Sequence, residues 1–159
     1  MVVKRITSIR HGSLKNFSAL WSILRFLYRC MIIIFPKLKV SKKIGSYGPF
    51  KLNRRFAFSN FEAWGEKHNR GFDRCVKAAK GMSCVLDIGA HIGLVTMPLS
   101  QVVANNGTVY AFEPAAANRA YLIEHLTANQ IGNVEVIPDL VGDIPLQSVE
   151  FFESSSDSG

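Results

Sequence analysis

Hydrophobic and polar positions alternate with two different periods along the second half of the chain. Short, mostly apolar runs occur at 84–88, 108–113 and 133–137, and residues 92–104 and 115–130 carry apolar side chains at helical spacing. Short apolar runs bounded by turn residues are typical of parallel strands, and the first run fits a strand buried on both faces. The alternation of strands and helices predicts an α/β fold with right-handed crossovers between parallel strands.

The first half of the chain has a different pattern. Residues 17–35 form its most apolar segment, whose polar residues share one narrow helical stripe and which ends at Pro36. A helix packed on the core and a helix lying at a membrane surface both fit this stripe. Two arginines near its middle make a membrane-spanning helix unfavourable. Residues 40–60 predict a hairpin or edge ribbon, and residues 60–80 predict a helix that stops at Gly81.

Charge divides the chain into two parts. Residues 1–80 hold 18 lysines and arginines against three acids, whereas residues 81–159 hold one arginine against nine acids. The pattern predicts a basic leader with an amphipathic helix over 1–44, a hairpin and helix that precede the core over 45–80, and a partial, Rossmann-like cofactor-binding domain over 81–159. No metal site is expected, and three cysteines without metal spacing are expected to be buried free thiols: Cys30, Cys75 and Cys84.

The strongest chemical signal is a glycine turn after the first strand. Asp87 stands near the end of the strand, and Gly89 and Gly93 flank the turn. Glycine lets backbone amides approach a ligand, and the amides that open the next helix add a positive dipole end. The spacing is neither G-x-G-x-x-G nor G-K-[ST], which argues against dinucleotide and Walker-type sites. An acid followed by such a turn suits S-adenosylmethionine, which has no pyrophosphate to bind.

A second acid, Glu113, ends the second strand, where a carboxylate can accept both hydroxyls of a ribose. Each acid also has a plainer interpretation, as a turn-forming or solvated residue. A neutral His91 would donate to the carboxylate of the cofactor or help a proton to leave the acceptor, unless it is a plain loop histidine. The other histidines show no triad or metal spacing and are expected to be structural or exposed: His11, His68 and His125.

Two segments together resemble those of FkbM-type S-adenosylmethionine-dependent methyltransferases: D-I-G-A-H-I-G at 87–93 and Y-A-F-E-P at 110–114. That family usually has asparagine where His91 stands. The resemblance implies a Rossmann-like class I methyltransferase sheet, S-adenosylmethionine as cofactor, and O-methyl transfer to a hydroxyl of a small molecule, sugar or lipid. It implies a set of cofactor-binding residues, the last of them against the adenine amino group: Asp87, Gly89, Ala90, His91, Gly93, Glu113 and Asp139.

The same resemblance implies further strands that this sequence does not show. The expected sheet is truncated after its third parallel strand, with the first strand at an edge and a candidate extra strand at 148–153. We therefore expect the amino-terminal portion of a longer enzyme, with little activity by itself and no catalytic residue to name. The expected partner is a small-molecule acceptor, not a nucleic acid, because no RNA-binding motif accompanies the basic residues.

Two other functions remain open on the sequence alone. A nicotinamide-dependent oxidoreductase shares the strand–helix alternation and the ribose-binding acid, although its glycine spacing differs. A non-catalytic fragment that associates with membranes is the second alternative, because the apolar segment and the lysines behind it could bind an anionic surface through residues 17–43. The expected location is cytoplasmic, at most peripheral to the membrane, since no cleavage site for secretion is present.

Overall fold

An antiparallel hairpin precedes a parallel sheet with helices between its strands. The computed structural model describes residues 22–23, 26–28, 38–65 and 69–144. The elements are β1 (Lys39–Ile44), β2 (Tyr47–Asn53), α1 (Phe72–Ala78), β3 (Cys84–Ile88), α2 (Thr96–Val102), β4 (Thr108–Phe112), α3 (Ala116–Ala128) and β5 (Val134–Ile137). Two short 3-10 helices, Arg54–Phe56 and Phe61–Ala63, lie between β2 and α1.

The predicted α/β fold is confirmed, with a parallel sheet of order β3-β4-β5 in the described part of the chain. Cys84 pairs with Thr108 at the start of β3, and Ile88 pairs with Phe112 at its end. On the other side of β4, Val109 pairs with Val134. The three strands therefore end at the same edge of the sheet, which is where ligands bind in Rossmann-like folds.

The two faces of this sheet are covered unequally. Val109 and Ala111 of β4 are fully buried, on the face that the helices cover. On the opposite face, Leu86 and Ile88 of β3 are 58% and 61% exposed. The prediction that β3 is buried on both faces is therefore wrong for the described residues, because no described element covers this second face. The predicted edge position of β3 is observed, since its strand partner is β4 alone among these residues.

The hairpin packs against α3 and extends the core away from the sheet. Its buried residues Ile44, Phe50 and Leu52 join one cluster with residues of the helices and of β4. The side chain of Asn129, just after α3, bonds both backbone groups of Lys51 as a neighbouring strand would: Lys51 N–H donates to its Oδ1 at 2.8 Å, and its Nδ2 donates to the Lys51 carbonyl at 2.9 Å. Helices α2 and α3, which contact both β2 and strands of the sheet, thus lie between the hairpin and the sheet.

Two predicted elements between residues 40 and 80 differ from the structure. The alternation at 56–58 does not form a strand, because the Asn53 side chain accepts the N–H of Arg55 and starts a 3-10 turn. The helix predicted over 60–80 is confined to Phe72–Ala78. Gly65 and Asn69 have φ angles of +92° and +49°. A right-handed helix cannot continue through such left-handed positions, so the helix begins only after them.

Cys75 and Cys84 are exposed, so the prediction of buried thiols is wrong for both. Cys75 lies on the outer side of α1, whose inner side buries Phe72 and Val76. Cys84 belongs to the uncovered face of the sheet.

Several predictions fall outside the described residues. These are the strand at 148–153, the position of Cys30 and most of the apolar helix at 17–35, of which only residues 22–23 and 26–28 are described as helical. Among the helices that the structure does describe, none is long and apolar enough to cross a membrane.

Candidate cofactor site at the ends of β3 and β4

Three left-handed backbone positions shape the turn that follows β3. Gly89, His91 and Gly93 have φ angles of +82°, +52° and +90°. The Gly93 N–H donates to the Ala90 carbonyl at 2.8 Å and closes the turn. A helix cannot begin within such a backbone, so α2 starts at Thr96 rather than at the predicted residue 92. The positive end of the α2 dipole, which the sequence predicted at the turn, therefore lies beyond it.

The turn curls over the end of β4. The N–H groups of Gly89 and Ala90 both donate to the Phe112 carbonyl, at 3.0 and 2.9 Å. The next N–H, that of His91, donates to Oε2 of Glu113 at 2.6 Å. These amides bond to β4 and its following residue, whereas the sequence predicted that they would face a ligand. The turn instead fixes the side chain of Glu113, through the bond from His91.

Glu113 is a buried carboxylate that backbone amides hold in place. It is 5% exposed, and its Oε1 accepts the N–H of Ala115 at 3.0 Å while its Oε2 accepts that of His91. Arg119 of α3 donates from one guanidinium nitrogen to the carbonyl groups of Glu113 and Pro114, at 2.9 and 2.8 Å. A carboxylate has about four lone-pair directions, so Glu113 keeps acceptor capacity beyond its two amide donors.

Asp87 lies on the same sheet face as Glu113. Asp87 is paired with Ala111, and alternation along the strand places Ala111 and Glu113 on one side. Burial raises the pKa of Asp87 above its ordinary value; the hydrogen bond from Thr96 opposes this shift, and the charge of Glu113 adds to it. The Thr96 hydroxyl donates to Oδ2 of Asp87 at 2.6 Å, and among the described residues no group donates to Oδ1. The two carboxylates therefore lie close enough to interact, at the strand ends that border the space called the crevice.

The two glycines of the turn have different surroundings. A Cβ built on Gly89 would meet no atom within 4 Å, so Gly89 borders open space at the crevice. A Cβ on Gly93 would lie 2.7 Å from Cδ1 of Leu122 in α3, so the absence of a side chain there is required by packing. Ala90 is buried beneath the turn. Of these three candidates, Gly89 is the one that borders open space among the described residues.

The remaining two candidates are exposed. His91 occupies a left-handed position, where asparagine, aspartate and histidine are the side chains most often tolerated, and its side chain is exposed beside the crevice. Asp139 is exposed and lies two residues after β5. The Glu113 N–H donates to the Ile137 carbonyl at 3.0 Å, which aligns the ends of β4 and β5 and places Asp139 at the same edge of the sheet. Among the described residues, no side-chain hydrogen bond or ion pair of Asp139 is observed.

Thr96 and Arg119 contact the residues of the candidate site, although the sequence did not reveal them. Each acts through a contact across a turn, and neither belongs to the two motifs. The available signal for Thr96 was a hydroxyl residue within the mostly apolar run 92–99, where burial is expected. A buried hydroxyl requires a hydrogen-bond partner, and Thr96 is fully buried. Within the described residues, no group of three or more histidine, cysteine, aspartate or glutamate side chains is placed to hold a metal ion.

Comparison with known proteins gives partial structural likenesses. No family model and no curated protein sequence matches the chain. Similar solved structures include an rRNA methylase from Streptococcus thermophilus, with 24% identity over 45% of this chain and 38% of that one and a TM-score of 0.40. A SAM-dependent methyltransferase from Aquifex aeolicus shows 31% identity over 47% and 41%, with a TM-score of 0.40.

A third similar structure is M. jannaschii TYW2 in complex with AdoMet. It shows 27% identity over 62% of this chain and 42% of that one, with a TM-score of 0.45. The chain thus spans about two fifths of the length of these three structures. With TM-scores below 0.5, the likenesses carry no functional conclusion by themselves.

Proposed function

We propose that the crevice at the ends of β3 and β4 binds S-adenosylmethionine and that the protein is an S-adenosylmethionine-dependent methyltransferase. The observation that carries this proposal is the pair of carboxylates, Asp87 and Glu113, on one sheet face at neighbouring strand ends. A two-acid crevice suits a ligand that offers hydroxyl donors at one end and a cationic amino group at the other.

The residues present fit such a ligand. Glu113 is almost completely withdrawn from water, yet its described hydrogen bonds are the two from backbone amides, with a weaker approach of Asn118 Nδ2 at 3.5 Å. A buried carboxylate is stabilised by additional donors, and the two hydroxyls of a ribose would supply them. Gly89, whose N–H bonds the carbonyl of the residue before Glu113, borders open space that such a ligand could occupy.

Asp87 suits the amino-acid end of the same ligand. Its pKa is raised because burial and the Glu113 charge disfavour the ionised form. A ligand ammonium group beside Oδ1 would favour the ionised form again, because an opposite charge lowers the pKa of a carboxyl group. We expect ligand binding and the ionisation of Asp87 to be coupled. Binding should therefore weaken at acidic pH, where Asp87 takes up a proton.

The proposed reaction is O-methyl transfer to a hydroxyl of a small molecule, sugar or lipid. S-adenosylmethionine supplies an electrophilic methyl group on a sulfonium, and alignment of the reactants provides much of the rate. The residues of this chain have the task of holding and orienting the cofactor. The resemblance of 87–93 and 110–114 to FkbM-type methyltransferases supports this choice of reaction.

Calorimetric titration with S-adenosylhomocysteine tests the proposal. Asp87→Asn and Glu113→Gln each remove a charged acceptor, worth about 1.5–3 kcal/mol, and should weaken binding roughly 10- to 150-fold. Glu135→Gln is the matched control, because Glu135 is exposed in the middle of β5 and should bind as the wild type does. Circular dichroism confirms that each variant is folded.

Two outcomes of this titration would contradict the proposal. One is that the wild type does not bind S-adenosylhomocysteine, and the other is that both site variants bind as tightly as the wild type. Tight binding of NADH without binding of S-adenosylhomocysteine would favour the nicotinamide-dependent oxidoreductase instead.

A further inference from the structure

His125 connects three parts of the molecule that lie far apart in the sequence. It is a fully buried residue of α3. Its Nε2 accepts the backbone N–H of Asn53, at the end of the hairpin, at 2.9 Å. Its Nδ1 lies 2.8 Å from the carbonyl oxygen of Ile92, in the middle of the glycine turn. One imidazole ring therefore bonds both the hairpin and the turn that forms the crevice.

The partners of the ring determine its protonation. The Asn53 N–H is a donor, so Nε2 must be the unprotonated, accepting nitrogen. The Ile92 carbonyl is an acceptor, so Nδ1 must carry the proton and donate it. Burial lowers the pKa of His125, opposed by the bond to Ile92 and reinforced by the charge of Lys39. The histidine is thus held as the neutral Nδ1–H tautomer.

Neighbouring groups fix the orientation of the ring. The Phe56 ring meets it edge-on with a centroid distance of 5.6 Å, and the Tyr121 ring stacks on it at 6.3 Å. Asn53 is held in turn, because its Nδ2 donates to both carboxylate oxygens of Glu124 at 2.9 Å. Lys39 of β1 forms an ion pair with the same Glu124. A ring held this firmly is able to hold the Ile92 carbonyl.

Ile92 stands between the two residues whose amides shape the crevice. The preceding N–H, that of His91, binds Glu113, and the following N–H, that of Gly93, closes the turn on Ala90. We propose that His125 is a positioning residue of the cofactor site: by donating to Ile92 it keeps the turn in the conformation that presents Glu113. The effect on cofactor affinity rests on the proposed function, whereas the effect on the turn does not.

Two substitutions separate the two hydrogen bonds of the ring. In His125→Asn, the side-chain amide nitrogen stands near the place of Nδ1 and keeps a donor for Ile92. In His125→Gln, the longer side chain reaches the place of Nε2, serves Asn53 and leaves the Ile92 carbonyl without its donor. Asn129→Ala is the control: it removes the side-chain bonds to Lys51 of the hairpin, and with them those to the His125 carbonyl and to Met97, but it leaves the imidazole ring and its bond to the turn in place.

Amide hydrogen exchange in the absence of any ligand tests the effect on the turn. Loss of the hydrogen bond to Ile92 should speed exchange at His91 and Gly93 roughly 5- to 13-fold in His125→Gln, which corresponds to about 1–1.5 kcal/mol. Exchange at these amides should stay near the wild-type rate in His125→Asn and in Asn129→Ala. Unchanged exchange in His125→Gln, or an equal increase in Asn129→Ala, would overturn the proposal.

Two further measurements complete the test. Titration with S-adenosylhomocysteine should show weaker binding in His125→Gln than in His125→Asn, and equal affinities would contradict a positioning role in the site. A wild type that does not bind S-adenosylhomocysteine refutes the proposed function, while the exchange rates still decide the role of His125. Long-range ¹H–¹⁵N NMR of the wild type, which needs no variant, should show the Nδ1–H tautomer, and the Nε2–H tautomer would overturn the proposal.

Discussion

Substitution of Gly93 by alanine should destabilise the protein through two separate effects. Gly93 has a φ angle of +90°, and a side chain in a left-handed conformation costs about 1–2 kcal/mol. The added methyl group would lie 2.7 Å from Cδ1 of Leu122, which is fully buried and has little room to move. Overpacking of this kind costs about 1–3 kcal/mol. The expected total is therefore about 2–5 kcal/mol, a large part of the stability of a typical domain.

The matched control is Gly89→Ala in the same turn. Gly89 has a similar φ angle of +82°, but its new methyl group would meet no atom within 4 Å. Gly89→Ala should therefore show only the backbone cost of about 1–2 kcal/mol. Urea unfolding followed by circular dichroism measures the free energy of unfolding of both variants. Equal losses in the two variants would refute the assignment of Gly93 to packing.

A double-mutant cycle identifies the side chain that is responsible. Leu122→Val removes the Cδ1 atom that the new methyl group would strike. In this background, Gly93→Ala should cost about as much as Gly89→Ala does, because only the backbone term remains. If the cost of Gly93→Ala were the same with leucine and with valine at position 122, the contact with Leu122 would not be its cause.

Two further predictions concern stability and its dependence on pH. Thr96→Val removes the hydrogen-bond donor to Asp87 and should lower the free energy of unfolding at pH 7 by about 1–3 kcal/mol, measured by urea unfolding. The loss should be smaller at lower pH, because Asp87 becomes protonated there. The pKa of His125 is lowered from 6.5 in the folded state, so as the pH falls the unfolded chain takes up a proton before the folded protein does. The free energy of unfolding should therefore decline as the pH falls below 6.5. His125→Phe should reduce this decline between pH 7.5 and pH 5, and an unchanged slope would assign it to other groups.

The strands and the two acids were predictable because their signals are local. Each strand of the sheet is a short apolar run, and its observed limits differ from the predicted ones by at most one residue at either end. Parallel pairing of β3 and β4 then brings Asp87 and Glu113 to one edge without further information. The start of α2 was predicted too early, since helical spacing does not reveal the left-handed backbone at His91 and Gly93.

The contacts that build the site were not predictable from the sequence. The amides of Gly89 and Ala90 bond the Phe112 carbonyl, which belongs to a different strand. His125 reaches Ile92 and Asn53, which lie 33 and 72 residues away along the chain. No local pattern reports such pairs, because they follow from how the hairpin, α3 and the turn pack together. The same packing buries His125, which agrees with the first alternative of the expectation that this histidine is structural or exposed.

The central claim is that one crevice, formed by the ends of β3 and β4, holds the adenosyl ligand. Titration of ¹⁵N-labelled protein with S-adenosylhomocysteine, followed by backbone amide NMR, tests it most directly. The account predicts saturable shifts concentrated at residues 87–93 and 113–115, with the middle of the hairpin around Ser46 unaffected. Shifts centred on the hairpin, or no saturable shift at any amide, would contradict it.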